Sequence, residues 1–343
     1  GATAQILFPL EENSVKKLVP QLIEQEVQSI AVGYLHSYRN PIHEERTRDI
    51  ILAEAPELEV TLSSEVAPEM REFERISTAC ANAYVQPLMS NHLRSMDRLL
   101  REDGFKCPLF LMLSGGGITT LETAVRFPVR LVESGPAGGA IFSSFIANSL
   151  GLSEVLSYDM GGTTAKICLI NDHVPTRTSE LEVAREHRFK KGSGLVLKVP
   201  SIEMIEIGAG GGSIGHVDSM GLLKVGPESA GADPGPACYA LGGSSPTITD
   251  ADLLLGFLNS EFFLGGEMKL NKDEASNILK EKIGDPLALG VVDAARGMAE
   301  VVDENMAAAA KTYASERGVD IRNYAMVGFG GAGPVHAYRV AKV

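Results

Sequence analysis

The sequence predicts an α/β fold, and three observations carry the prediction. Short apolar, β-branched runs alternate with stretches of helical periodicity along the 343 residues. Two apolar runs, 155–158 and 165–170, are separated only by Asp159-Met160-Gly161-Gly162-Thr163-Thr164, the pattern of a hairpin with a Gly-rich turn. A further run, 324–329, enters Gly330-Gly331-Ala332-Gly333, with a helix expected from Pro334.

The elements follow in order. Ile6-Leu7-Phe8 reads as a short strand and 14–25 as a helix. The run 30–35 is a buried strand by its length and β-branching. Pro41 occupies the first turn of the next helix, which Glu44, Glu45 and Arg46 continue. Strands are expected at 58–62 and 109–113. Between them lies a helical stretch, 71–101, broken near Pro87 because proline removes a helix donor. Ser134 is placed to cap a helix before the hairpin. From 173 to about 245 there is little helical periodicity and many Gly; short β-like runs at 195–199 and 202–207 make this a strand-and-loop insertion. Helices return at 251–258, 272–281 and 290–317, the last rich in Ala, Met and Val as a core helix would be.

Composition narrows the function. There are 31 Lys+Arg against 44 Asp+Glu, a net charge of −13, with 44% hydrophobic and 22% charged residues. That is an ordinary globular balance, and its sign argues against an electrostatic nucleic-acid binder. No apolar run reaches the roughly 18–20 residues a membrane span needs. Cys80, Cys107, Cys168 and Cys238 form no CxxC pair, which excludes the usual zinc spacing and a disulfide framework and fits a reducing cytoplasm. Seven His, His187 among them, make no HxH or HExxH pair. The chain opens Gly1-Ala2-Thr3 and stops in mid-pattern at Val343, so it is expected to be a piece of a longer protein.

Several segments could carry chemistry. The 159–164 turn gathers backbone N–H groups and hydroxyls around one concavity, a nest suited to phosphate oxygens. Asp159, at the end of the incoming strand, is placed to hold a divalent cation through water. The plain alternative is a Gly-rich turn with an Asx-type cap. The glycines at 328, 330, 331 and 333 would let backbone approach a flat ring or a phosphate; the alternative is a simple strand–helix turn. This is not a P-loop, which needs Lys-Ser/Thr after the last Gly. Gly208 to Gly215 and Ser114-Gly115-Gly116-Gly117 are further close-approach loops. Asp233, in a loop with two Pro and two Gly, reads as a turn former rather than a ligand. Lys166 faces either a phosphate or solvent, with solvent favoured, and Arg71-Glu72 with Glu74-Arg75 reads as a solvated helix face.

Taken together, these motifs resemble the hydantoinase/oxoprolinase family, specifically its hydantoinase A-type subunit. In order they are His36 to Pro41, Ser64 to Glu69 with Arg71 to Arg75, Asn82 to Val85, Ser134 to Gly139, Asp159 to Thr163, Gly208 to Ile214, Ala232 to Tyr239, Thr249 to Asp252, and Gly328 to His336. His36 and His336 lie inside such motifs and are the histidines singled out for testing.

The resemblance implies an actin-like (sugar kinase/Hsp70-type) ATPase fold of two ribonuclease H-like lobes around a nucleotide cleft. Lobe one would be 1–152 and lobe two 153–343, with the insertion at about 173–245. It implies ATP and Mg²⁺ as cofactors and Asp159 as catalytic and metal-holding residue. Gly161, Gly162, Thr163 and Thr164 would bind phosphate, and Gly328, Gly330, Gly331 and Gly333 the adenosine side. The implied activity is ATP-dependent hydrolysis of a hydantoin- or 5-oxoproline-type cyclic amide in the cytoplasm, with a hydantoinase B-type partner. The alternatives are an ATP-dependent ketone carboxylase subunit and a non-catalytic nucleotide-binding module. The first phosphate hairpin and the last strand and helix of the family pattern have no counterpart, so the piece alone is expected to be inactive. The family's second phosphate loop often carries an Asp where this chain has Ala165-Lys166.

Overall fold

The structure, a computed structural model, describes residues 3–186 and 192–343. Gly1, Ala2 and the 187–191 stretch of the expected insertion, including His187, lie outside the described residues. The architecture is α/β, in two compact units: Gly1–Gly138 with Arg177–Ile202, and Gly139–Thr176 with Glu203–Val343. The division falls inside the helix Ser134–Leu150, whereas the sequence reading placed a boundary at 152. No helix among the described residues is long and apolar enough to cross a membrane.

In the first unit, strands Ser29–Val32 and Glu59–Leu62 pair in parallel. Helices Glu12–Glu24 and Ile42–Glu54 accompany them, and Val19, Val32, Ile51, Ala55, Leu58 and Leu62 form the shared core. The expected strand at Ile6–Phe8 is absent. Those three side chains are exposed, and among the described residues no strand pairs with them, so the segment has no ladder to join.

The helix Glu72–Glu102 runs unbroken through Pro87, against the expected break. Its buried stripe, from Arg75 and Ala79 through Ala83 and Gln86 to Leu93, continues on both sides of the proline. Packing along that stripe outweighs the roughly 3 kcal/mol a helix-interior proline costs. The Arg71–Arg75 run is only in part a solvated face: Arg71 is exposed, but Arg75 is fully buried. Its Nε donates to Ser63 Oγ (3.1 Å) and its Nη2 to the Tyr34 carbonyl (2.8 Å), and the guanidinium lies against the Tyr38 ring. Below it Glu44 is also fully buried, accepting from Ser63 Oγ (2.6 Å) and from Ser64 Oγ (2.7 Å). Burial alone would push the Glu44 carboxyl up, but bonds from Ser63, Ser37 and Ser64 hold it below the usual carboxylate range.

In the second unit, Glu154–Met160 and Ala165–Asn171 form the hairpin, and Ile205–Ile207 adds to it antiparallel. Ala325–Phe329 lies parallel to the first hairpin strand on its other side. Across the sheet the order is therefore 205–207, 165–171, 154–160, 325–329, with Val174–Pro175 also pairing on 165–171. The expected run at 202–207 divides into Ser201–Ile202 and Ile205–Ile207, and only the latter joins this sheet. Helix Val291–Glu316 packs beneath it. Met298, Val302 and Met306 meet Leu156, Tyr158, Ile167 and Leu169 in the main core. Among the described residues of 173–245 the regular elements are short strands and one turn of 3₁₀ helix. Helix Ser134–Leu150 begins at Ser134 itself, so that serine is its first residue rather than its cap.

Candidate functional site

In the first hairpin strand 155–158 are buried, Asp159 is half-buried, and the buried Met160 follows before the chain turns. Asp159 is the next-to-last residue of its strand, half-buried, opposite Lys166 on one side and Phe329 on the other. The tip closes with the Gly161 N–H donating to the Thr164 carbonyl (3.1 Å), leaving Gly162 and Thr163 exposed. Because 154–160 and 325–329 are parallel, Gly330 and Gly331 emerge at the same sheet end. In open α/β sheets, ligands bind outside the carboxyl ends of parallel strands.

The two turns touch. Gly330 has φ +88°; an added Cβ there would collide with Asp159 Oδ1 and lie 2.5 Å from the Met160 carbonyl oxygen. Only glycine fits, on conformation and on space. The Ala332 N–H donates to the Met160 carbonyl (2.9 Å), fixing the turn to the hairpin. Gly333 opens helix Gly333–Lys342, and a Cβ on Gly328 would lie 2.7 Å from Ala337 of that helix.

The glycine loop after 205–207 grips the hairpin from behind. The Gly211 N–H donates to the Gly161 carbonyl (3.0 Å), and the Gly212 N–H to that of Gly162 (2.6 Å). A Cβ on Gly210 would lie 2.6–2.7 Å from backbone atoms of Gly162 and Thr163. The clamp is anchored by helix Ile248–Leu254, where both the N–H and the hydroxyl of Thr249 donate to the Gly211 carbonyl (2.7 and 2.8 Å). Asp250, fully buried, completes a capping box with Thr247 and accepts from the Cys238 N–H (2.7 Å).

The structure thus brings Asp159, Gly161, Gly162, Thr163, Thr164, Gly330 and Gly331 to one end of one sheet, with Gly328 and Gly333 in direct support. The solvent reading of Lys166 does not hold. Its side chain is 17% exposed, and its Nζ lies 4.0 Å from Glu206 Oε1 in the row Asp159–Lys166–Glu206 across the sheet. Asp233 is exposed in a turn, as a turn former would be.

Among the described residues no group of three or more His, Cys, Asp or Glu could hold a metal ion. A cation here would rest on Asp159 together with ligand oxygens and water, the usual manner of Mg²⁺ beside phosphates. The half-buried Asp159 carboxylate, at a strand end beside the exposed Gly162 and Thr163 of the tip, is the hard oxygen donor such an ion would use.

Residues 75–343 match the Hydantoinase/oxoprolinase family, and residues 2–55 match the Hydantoinase/oxoprolinase N-terminal region. The chain belongs to the hydantoinase/oxoprolinase family. It is 42% identical to an uncharacterized protein of Methanocaldococcus jannaschii, over 99% of this chain and 50% of that protein. It is 37% identical to the caprolactamase subunit alpha of Pseudomonas jessenii, over 97% of this chain and 47% of that one. The nucleotide-free structure of acetone carboxylase, from work on ATP-dependent acetone carboxylation, superposes with a TM-score of 0.81. The identity is 31%, over 97% of this chain and 46% of that one. This member of the family spans about half the length of the curated relatives it matches.

The sequence singles out His336 but not the two carboxylates that hold it. His336 is fully buried between two carboxylates, with Nδ1 2.7 Å from Asp303 Oδ1 and Nε2 3.0 Å from Asp252 Oδ2. Arg339 donates from Nε to Asp303 Oδ2 (2.6 Å) and lies over the Phe257 ring. Burial alone would lower the imidazole pKa; the hydrogen bonds to Asp252 and Asp303 raise it instead to about 9. The available signal was Asp303 itself, a lone acid within the stripe Met298, Ala299, Val302, Met306 of a core helix.

Proposed function

We propose that this chain is the nucleotide-binding part of an ATP-dependent enzyme that opens a cyclic amide of the hydantoin or 5-oxoproline type. The observation that carries the reading is the meeting of two glycine turns at Asp159, on the ends of two parallel strands. The backbone N–H groups and hydroxyls of Gly161 to Thr164 would take phosphate oxygens. Gly328, Gly330, Gly331 and Gly333 would admit the adenosine side without steric conflict. Asp159 would hold Mg²⁺ through water, and the ion would supply charge neutralisation on the phosphates. Asp159 is the catalytic residue in the sense that its carboxylate fixes that charge. The rest of the work is positioning, as in other phosphoryl transfers.

An actin-like lobe of ribonuclease H type is the architecture that fits the second unit. The support is its three-stranded antiparallel run with 325–329 added in parallel beyond 154–160. The cyclic-amide class draws on the similarity to a caprolactamase subunit. A ketone carboxylase subunit is the second reading, favoured by the superposition on acetone carboxylase. A hydantoinase B-type subunit or domain is the proposed partner, since the caprolactamase relative is named as a subunit.

The test is phosphate release from ATP by the protein carrying this chain, with its partner. Release would be measured alone and with hydantoin, 5-oxoproline, a larger lactam, or a ketone plus bicarbonate. Stimulation by a cyclic amide supports the proposal, and stimulation only by ketone and bicarbonate moves it to the carboxylase. Nucleotide binding without turnover in every mixture leaves a binding module and overturns the enzymatic reading.

A further inference from the structure

A nucleotide site built from exposed glycine turns needs something rigid to hold the turns together. Two routes lead away from the Asp159 hairpin into the core, and both end on His336. The first runs from the hairpin carbonyls of Gly161 and Gly162 to Gly211 and Gly212, and from the Gly211 carbonyl to Thr249. Three residues on, in the same short helix, Asp252 accepts from His336 Nε2. The second runs from the Met160 carbonyl to Ala332 and into helix Gly333–Lys342, whose first turn carries His336. The imidazole is then pinned from the third side by Asp303 on helix Val291–Glu316.

We propose that His336, as an imidazolium bridging Asp252 and Asp303, is the positioning residue that sets nucleotide affinity by holding the two glycine turns in register with Asp159. The proposal rests on the nucleotide-binding reading above. Both ring nitrogens meet carboxylate oxygens, and only the doubly protonated ring donates at both. Arg339 Nη2 lies 3.2 Å from Nδ1, while its Nε and the His336 Nδ1 each donate to one oxygen of the Asp303 carboxylate. With Asp252 and Asp303 ionised, the imidazolium and Arg339 make a neutral quartet.

Asp252 depends on the proton most. It is buried, its Oδ1 has no hydrogen-bond partner among the described residues, and Arg339 Nη2 stands off at 4.0 Å. Removing the proton leaves a buried carboxylate without its donor, and such a group is costly to keep in place. The groups around the quartet are Asp252, Asp303 and Arg339, with Tyr158 from the central strand, whose hydroxyl bonds to the Met160 and Met306 sulfurs. The imidazole pKa of about 9 puts the loss of the bridge above neutral pH.

The experiment is calorimetric titration of Mg-ATP into the protein carrying this chain, from pH 7 to 10, well below its melting temperature. Wild type is compared with His336→Gln and with His336→Gln/Asp252→Asn; the pair of changes removes one charge of each sign and leaves Asp303–Arg339 intact. Circular dichroism checks that each is folded. Wild-type affinity should fall as pH rises through about 9. His336→Gln should bind at least tenfold more weakly at pH 7, and the double variant, should the single one not fold, should show a flat pH profile. A folded variant that keeps wild-type affinity and its pH dependence reduces His336 to a core residue and overturns the proposal. Wild type that binds no Mg-ATP at all removes the nucleotide reading itself, and this assignment with it.

Discussion

Asp159 was singled out because an acid near the end of an apolar strand, just before two glycines, has little structural use there. Its surroundings were not, since Gly330 meets it only once the strands pair in parallel. Asp159→Ala should abolish ATP turnover while moving the melting temperature little, because a half-buried strand-end carboxylate contributes little to packing. Phosphate release and a thermal melt on the same preparation check both halves; full turnover in the variant would remove Asp159 from the chemistry. His336 stood out in the sequence, but its partners are 33 and 84 residues away, beyond any periodicity. Its pKa sits above the ordinary 6.5, at about 9. The stabilisation it provides is therefore complete below pH 6.5 and lost as pH rises through about 9. The quantity at stake is on the order of 3 kcal/mol. Wild-type melting temperature should fall by several degrees across that window, and His336→Gln should show no such fall.

At the level of elements, strands and helices were read where one segment's own pattern decided them, as in the hairpin and the core helix. The reading failed where a distant partner decides. Ile6–Phe8 has apolar side chains but no strand to pair with, and Pro87 sits in a helix whose buried stripe continues past it. The glycine loop at 208–215 was recognised as a close-approach loop, yet which backbone it approaches follows from the fold alone. Gly210→Ala should cost about 1–3 kcal/mol, because the new methyl meets hairpin backbone that cannot swing aside. Gly162→Ala, with nothing within 4 Å of its added carbon, should cost well under that. Equal denaturant midpoints for the two variants would contradict the clamp.

Across the whole molecule, the α/β class was visible in the sequence, and family membership follows from matches over 75–343 and 2–55. The grouping of Arg177–Ile202 with the first unit was not visible, because short strands in a Gly-rich stretch do not announce which sheet they serve. The central claim is that the end of the second unit's sheet, at Asp159 and Gly330, is a phosphate site. A crystal structure of the protein with Mg²⁺ and a non-hydrolysable ATP analogue tests it most directly. The account predicts the phosphates against the backbone of Gly161 to Thr164, the cation linked to Asp159 through water, and the adenosine beside Gly330–Gly331. A nucleotide bound elsewhere, with that sheet end unoccupied, would contradict it.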